Sequence, residues 1–413
     1  MASGGATWAA GGGAGTGEKY VTYKDANGNL SNTGENTIAG KDAGNSINDA
    51  SRNTYYGFEA GKSSTSGNYN QALGSQCLKS ATSGHSNTAI GKGCLLSLTT
   101  GDRNVALGFN TLDACVSGDN NTAAGYDALS AYTGSDAAAF GYHALKACTG
   151  IDNTAFGAYA GDSITTGTQN VAIGHQALTQ VTDETYNIGI GKSAGGKGNK
   201  NISLGYQAGM HQTGDHNFFV GWQTGGQGAG SGNASSSHCV GIGYQALNAL
   251  TSGESNIVIG QESGRNMTTA SNCVVIGKTT HPSSNTVDNE ITFGNSSITT
   301  LRCAVTSITS LSDRRDKTDI NTLDLGLDFI NALKPVKFKW ATREGVSNKD
   351  GKYEANFIAQ DFQQVQKDYD ADYLNLVLDS NPDKLEAAPG KLIPILVKAI
   401  QELKQEIDLL KTK

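Results

Sequence analysis

A short pattern of polar, small and apolar positions recurs along most of the chain. Most copies run asparagine, variable residue, small residue, apolar residue, glycine, as in Asn104–Gly108 and Asn170–Gly174. The step between copies is 17 residues in ten of fifteen intervals. A repeat of this period predicts an array of stacked structural units. The sixteen copies begin at Asn36, Asn53, Asn70, Asn87, Asn104, Asn121, Ala137, Asn153, Asn170, Asn187, Asn201, Asn217, Cys239, Asn256, Cys273 and Glu290.

Each repeat predicts a short strand followed by a tight turn. The residue before the glycine is apolar, as at Ile173, and the residue three positions after it is small, as at Ala177. Such a segment is typical of a strand of about five residues, and glycine permits the turn that follows. We therefore predict a parallel β-solenoid with two strands and two turns in each coil, and a core of small residues. Sixteen coils would form a rod on the order of 75 Å long, with an amide ladder of asparagines along it.

The repeats resemble the head domain of trimeric autotransporter adhesins. Asn170-Val171-Ala172-Ile173-Gly174 and Asn104-Val105-Ala106-Leu107-Gly108 are the closest segments, and the likeness covers residues 36–294. The 14-residue step after Asn187 equals the usual coil length of that family. The resemblance implies parallel coils in a β-roll and a homotrimer.

One column of the repeat is aromatic in many coils. In these coils the residue directly after the glycine has an aromatic side chain. We call these positions the aromatic column, which comprises Phe58, Phe109, Tyr126, Tyr142, Tyr206, Trp222 and Tyr244, with His175 among them. Such a row could bind sugars, with Tyr126, Tyr142, Tyr206, Trp222 and Tyr244 as the candidates. Aromatic residues are also enriched where subunits pack, and we favour packing. The enlarged coil that follows Thr224 predicts a projecting loop or a spacer.

Composition excludes several function classes. A net charge of −7 without a basic cluster argues against nucleic-acid binding. Seven cysteines without a Cys-x-x-Cys pair argue against zinc and against a disulfide framework. We expect no metal and no cofactor. No apolar run of about 18 residues is present, so we expect no membrane insertion.

The C-terminal hundred residues lack the repeat and have a helical pattern of apolar positions. Apolar residues three and four apart form a heptad seam that predicts a coiled-coil helix; they are Ile393, Leu396, Ile400, Leu403, Ile407 and Leu410. At the start of this region Ser312 precedes Lys317 by five residues. A serine hydroxyl attacks a carbonyl only when a base removes its proton, and a partly buried lysine can be that base. The spacing alone is a weak signal, since it also occurs in solvated loops.

The same region resembles the intramolecular chaperone domain of phage tail fibres and tailspikes, the peptidase S74 family. Four segments match, namely Ser312–Lys317, Leu333–Trp340, Asn356–Asp361 and Lys391–Leu403. The resemblance implies an α+β domain that assembles a trimer and then cuts the chain between Leu311 and Ser312. It makes Ser312 the nucleophile and Lys317 the base, and we expect Asp313 and Arg314 to position the loop. Beyond this single self-cleavage we expect no enzymatic activity.

These observations predict a mainly β protein with four regions. They are a leader or attachment segment (1–35), a solenoid rod (36–294), a β neck (295–311) and a chaperone domain (312–413). We expect a homotrimeric tail fibre in a virion, made in the host cytoplasm, whose rod binds a glycan or outer-membrane receptor. Its N-terminus would join other tail proteins. A bacterial trimeric adhesin ranks lower because we expect no signal peptide, and a glycan-degrading tailspike ranks lower because the acidic residues of the repeats lie scattered in turns.

Overall fold

The chain forms two compact units. One comprises the residues up to 280 together with 288–292, and the other comprises 281–287 and the residues from 293 onward. The predicted leader, residues 303–311 of the predicted neck and residues 227–233 of the enlarged coil lie outside the described residues. The computed structural model describes residues 36–226, 234–298, 300–302, 312–340, 353–383 and 385–412.

The repeats form a parallel β-solenoid, as predicted. Sixteen strands join one sheet in sequence order, so each strand pairs with the strand of the next coil. Register follows the repeat, with Ile173 opposite Ile190 and Ile190 opposite Leu204. The strands are β1 (Thr37–Ala39), β2 (Thr54–Tyr56), β3 (Gln71–Leu73), β4 (Thr88–Lys92), β5 (Val105–Phe109), β6 (Thr122–Tyr126), β7 (Ala138–Phe140), β8 (Thr154–Phe156), β9 (Val171–Ile173), β10 (Ile188–Ile190), β11 (Ile202–Leu204), β12 (Phe218–Val220), β13 (Val240–Ile242), β14 (Ile257–Ile259), β15 (Val274–Ile276) and β16 (Ile291–Phe293).

The prediction of two strands in each coil is wrong. Each coil has one strand, which is three residues long except in β4, β5 and β6, where it has five. The rest of the coil is built of turns because single residues take left-handed backbone angles, such as Gln76 (φ 63°) and Leu78 (φ 51°). Coils still bond to each other there, for example from the Thr65 amide to the Thr82 carbonyl at 2.9 Å.

The core contains more than small side chains. The second residue of each strand points inward and is small in most coils, as at Ala106. The residue three positions after the glycine is also buried, as at Ala177, and this agrees with the prediction. A further buried column of leucines, four positions after the glycine, fills the centre; Leu78, Leu95 and Leu112 belong to it. The core is therefore wider than predicted.

The predicted amide ladder is present. Asn104 is fully buried, and its side-chain oxygen accepts a hydrogen bond from the backbone amide of Asn121 at 2.9 Å. Its side-chain nitrogen donates to the carbonyl of Gly118 at 2.8 Å and to the side-chain oxygen of Asn87 at 3.0 Å. Asparagine thus satisfies buried backbone groups that the turns leave without partners.

Glycine at the end of the repeat is required by close packing of coils. Gly108 has φ +139°, and a Cβ atom on it would lie 2.2 Å from the carbonyl oxygen of Gly125. Any side chain there would collide with the backbone of the next coil. The same contact with the backbone of the next coil accounts for glycine in the fourteen copies from Gly40 to Gly260.

The C-terminal unit is a small α+β fold. Its core includes Phe329, Phe362, Leu376 and Ile395. The elements are α1 (Leu327–Ala332), β17 (Val336–Phe338), β18 (Glu354–Asn356), α2 (Ala359–Asp368), β19 (Val377–Leu378), β20 (Glu386–Ala387) and α3 (Ile393–Lys411), the last preceded by a 3-10 turn at Pro389–Leu392. Strands β17 and β18 pair antiparallel, as do β19 and β20. No helix of the described residues is long and apolar enough to cross a membrane.

Candidate cleavage site and exposed surfaces

Ser312 and Lys317 lie in contact. A 3-10 turn at Arg314–Asp316 reverses the chain, and the backbone amide of Lys317 closes it by donating to the Arg314 carbonyl. The turn brings Lys317 Nζ to 2.5 Å from Ser312 Oγ, and the amine donates to the hydroxyl. The structure therefore joins the two side chains that the sequence pairs as nucleophile and base.

Asp313 fixes the turn through a residue that the sequence analysis did not select. Its carboxylate caps the turn by accepting from the Arg315 amide at 2.8 Å, and it accepts from the Arg315 guanidinium at 2.6 Å. The hydrogen bonds from Arg315 hold the pKa of the Asp313 carboxyl below its usual value. Arg314 lies in the same turn with an exposed side chain. The sequence signal for this contact was the spacing Asp313-x-Arg315. A carboxylate that caps a turn lies next to the second residue of that turn, so the two side chains can pair.

The chemical competence of the pair depends on its surroundings. Ser312 and Lys317 are both exposed in the single chain. An amine accepts a proton only in its neutral form, and removal from water favours that form. The pair has the right atoms in contact for proton transfer from serine to lysine, while the burial that would favour a neutral amine is missing from one chain alone. Leu311, the other side of the expected cut, lies outside the described residues.

The outer face of the solenoid sheet is open and largely apolar, with Thr or Gln at the first position of six strands. Each strand directs its first and third residues outward, and none of these outward positions in the sixteen strands is charged. Phe156 is 58% exposed, and Ile173 and Ile190 are 38% and 39% exposed. We call this surface the outer sheet face. Within most strands the larger apolar side chains thus lie outside and the smaller ones lie inside, while the leucine column of the turns fills the core.

The aromatic column divides into two kinds of surface. Phe109 stacks on Tyr126 at 4.8 Å and 4°, and Tyr126 stacks on Tyr142 at 5.4 Å. Tyr142 also stacks on His143 at 3.9 Å. In this covered segment successive rings stack on one another, so neighbouring rings cover the ring faces.

The second segment of the column, which comprises Tyr206, Trp222 and Tyr244, is open because a ring contact joins only its first two members. Tyr206 contacts Trp222 at 4.4 Å with a tilt of 34°. Trp222 is 51% exposed and Tyr244 is 45% exposed. The five sequence candidates for binding therefore fall in different environments, two in the covered segment and three in the open one.

Helix α3 has one buried and one open face. Ile395 and Ala399 are buried in the C-terminal unit, and Glu402 on the next turn accepts from the Leu327 amide at 2.6 Å, which caps α1. The opposite face is exposed; its residues are Ile393, Leu396, Ile400, Leu403, Ile407 and Leu410. The heptad seam predicted from sequence is thus an open apolar stripe on a helix.

The described part of the chain contains possible metal ligands, among them cysteines. No group of three His, Cys, Asp or Glu side chains among the described residues is arranged to hold a metal ion. The six cysteines in the described ranges are all buried, and burial raises the pKa of the Cys148 thiol to about 11. Burial likewise raises the pKa of the Cys115, Cys239 and Cys273 thiols. These side chains act as small core residues. Cys303 lies outside the described residues.

One comparison with known proteins gives a match. Residues 312–370 match the family model Peptidase_S74, described as the chaperone of endosialidase. The matched segment includes Ser312, Lys317 and strands β17 and β18, and this confirms the resemblance on which the sequence analysis relied. A long parallel solenoid together with such a segment is consistent with a protein of the tail fibre or tailspike type. No curated protein and no solved structure gives a match.

Proposed function

We propose that the chain is a homotrimeric tail fibre or tailspike of a bacterial virus. Its solenoid binds the host surface, and its C-terminal unit assembles three chains and is then released by self-cleavage. The observation that favours this function most is the outer sheet face, an uncharged apolar surface along sixteen coils, in a chain whose C-terminal region matches an assembly domain.

The outer sheet face needs a partner. Parallel sheets are found almost only with both faces covered, yet here only the inner face is packed within the chain. With two outward side chains in each of sixteen strands and on the order of 50 Å² open per side chain, the face offers roughly 1,600 Å². That is about twice the 800 Å² per partner of a standard stable interface. Copies of the same chain offer a matching apolar face, which supports a homotrimer in which these faces meet.

The open stripe of helix α3 provides a second self-association surface. Stripes with this spacing pack into bundles of two or more helices. Assembly through a local helix is fast, while the solenoid depends on many contacts distant in sequence and folds slowly. The helix therefore aligns three chains before the coils close on one another.

Cleavage would follow from the contact between Ser312 and Lys317. Neutral Lys317 takes the hydroxyl proton as Ser312 Oγ attacks the carbonyl carbon of Leu311. The bond from that carbon to the Ser312 nitrogen breaks as protonated Lys317 gives its proton to that nitrogen, and an ester links Leu311 to the serine side chain. Water then hydrolyses the ester, which frees a carboxylate on Leu311 and leaves Ser312 with an amino terminus. Because the pair is exposed in one chain, we propose that neighbouring chains bury it, so cleavage follows assembly.

Intact mass measurement of the full chain tests the cleavage. We expect two fragments, one ending at Leu311 and one beginning at Ser312. Ser312→Ala and Lys317→Ala should each abolish them, while Lys334→Ala, at another exposed lysine, should leave them unchanged. A wild-type chain that stays whole when fully assembled would remove the protease from the proposal and leave the assembly role intact.

Light scattering and cell binding test the remaining parts. The Ser312→Ala chain should have the mass of a trimer, and a stable monomer would contradict the assembly role. Fluorescently labelled trimer should adsorb to cells of some strains in a bacterial panel. Release of reducing sugars from their surface polysaccharide would instead favour a glycan-degrading tailspike.

A further inference from the structure

Three successive coils share a triplet that no other coil has. Each has Tyr or Trp directly after the repeat glycine and then Gln. We call their six side chains the ring–amide patch, which comprises Tyr206, Gln207, Trp222, Gln223, Tyr244 and Gln245. The patch coincides with the open segment of the aromatic column, and its Trp222 and Gln223 belong to the coil that is enlarged to 22 residues.

One face of the Trp222 indole ring is open in the patch. Tyr206 covers Trp222 from one neighbouring coil. On the side of the other neighbouring coil, Trp222 has no ring contact with Tyr244. Both residues lie within the described part of the chain. Trp222 is accordingly the most exposed ring of the aromatic column, at 51%. An open ring face beside a second exposed ring is a flat apolar platform.

The amides form an ordered row beside this platform. Gln223 Nε2 donates to Gln207 Oε1 at 3.0 Å, and Gln245 Nε2 donates to Gln223 Oε1 at 2.9 Å. Each carboxamide has two N–H donors and two acceptor lone pairs. The row uses one donor and one acceptor of Gln223, so its second donor and second lone pair point away from these bonds. No member of the patch is charged.

We propose that the ring–amide patch binds a neutral glycan. The C–H face of a pyranose ring packs on the exposed rings, and its hydroxyl groups exchange hydrogen bonds with the carboxamides. The absence of a charged member favours uncharged sugars over acidic ones, because an acidic group would lose water there without gaining a cation. The covered segment around Tyr126 offers ring edges and is not part of the site. This inference rests on the proposed binding of the host surface.

Fluorescence titration of the full-length trimer tests the site. Replacing Trp8 and Trp340 with phenylalanine leaves Trp222 as the reporter, because the chain has three tryptophans. The probes are neutral hexasaccharides of glucose, galactose, mannose and N-acetylglucosamine, with a sialylated hexasaccharide for comparison. We expect saturable binding of at least one neutral probe, and binding of the acidic probe at least roughly tenfold weaker.

Variants then locate the site, with affinity measured by calorimetry. Trp222→Ala should weaken binding of the neutral probe roughly 30-fold, as for loss of an aromatic anchor. Trp222→Phe should restore most of the affinity, and Tyr126→Ala should change it less than about twofold. Saturable binding that survives Trp222→Ala, or no binding of any neutral probe, would overturn the proposal.

Cell adsorption separates the two levels of failure. If labelled wild-type trimer adsorbs to cells and Trp222→Ala adsorbs equally, the glycan site is wrong and the binding of the host surface stands. If the wild-type trimer adsorbs to no strain of the panel, the proposed function itself fails. If adsorption is lost on Trp222→Ala and on periodate oxidation of the cells, both are supported.

Discussion

Removing one asparagine from the amide ladder should weaken the solenoid far more than removing a surface hydrogen bond. Asn104→Ala leaves the Asn121 amide and the Gly118 carbonyl without their partners, which lie 2.9 Å and 2.8 Å away in the native chain. Each buried backbone group left unsatisfied costs about 1–3 kcal/mol, so the loss of both partners costs roughly 2–6 kcal/mol. That is a large fraction of the stability of an ordinary domain.

Two measurements test this magnitude. The urea midpoint of the Ser312→Ala trimer gives the change in unfolding free energy, and hydrogen exchange of the peptide that contains Asn121 shows whether the loss is local. Thr99→Ala is the matched control, because it removes a surface hydrogen bond of 2.9 Å to the Val116 carbonyl and should cost no more than about 0.5 kcal/mol. If Asn104→Ala costs no more than Thr99→Ala, the ladder does not stabilise the coils and the reasoning is refuted.

Further predictions follow from other contacts. Gly108→Ala should prevent correct stacking, because its Cβ would lie 2.2 Å from a carbonyl of the next coil, whereas Gly390→Ala, with no atom within 4 Å, should leave the unfolding temperature unchanged. The Leu327 amide at the start of helix α1 holds the pKa of the Glu402 carboxyl below its usual value. The ionised carboxylate therefore stabilises the fold above about pH 4.3, and this stabilisation is lost as the pH falls through the lowered pKa. Glu402→Gln should reduce the acid sensitivity of unfolding. Ile173→Glu puts a charge on the outer sheet face and should lower the trimer fraction in light scattering, whereas Gln176→Glu, at an exposed turn of the same coil, should not; equal effects would argue against that face as the interface.

The repeat spacing sufficed to predict the parallel solenoid, because coil length, glycine and asparagine are each required by close backbone packing. The second strand of each coil was predicted wrongly. Left-handed angles at residues such as Leu78 are not evident from residue type, since leucine rarely adopts them. The buried leucine column was missed for the same reason, because its residues leave the strand pattern and turn inward.

Part of the candidate site was also predictable. The five-residue spacing of Ser312 and Lys317 led to a pair that the turn brings into contact. The contribution of Arg315 was not foreseen, because it depends on which side of a 3-10 turn faces Asp313. Likewise the sequence placed the five binding candidates in one column, but only the ring contacts distinguish the covered segment from the open one.

The irregular coils give the molecule reference points. Nearly identical coils can pair out of step, since a shift by one whole repeat leaves glycine opposite glycine and asparagine opposite asparagine. Such a slip keeps most hydrogen bonds and is a trap for three chains that assemble together. The 14-residue step at Asn187 and the 22-residue step at Asn217 have no equivalent one coil away, so a slipped chain meets a mismatch there. Departures from the repeat thus favour the one alignment in which the irregular coils of all three chains lie at the same level.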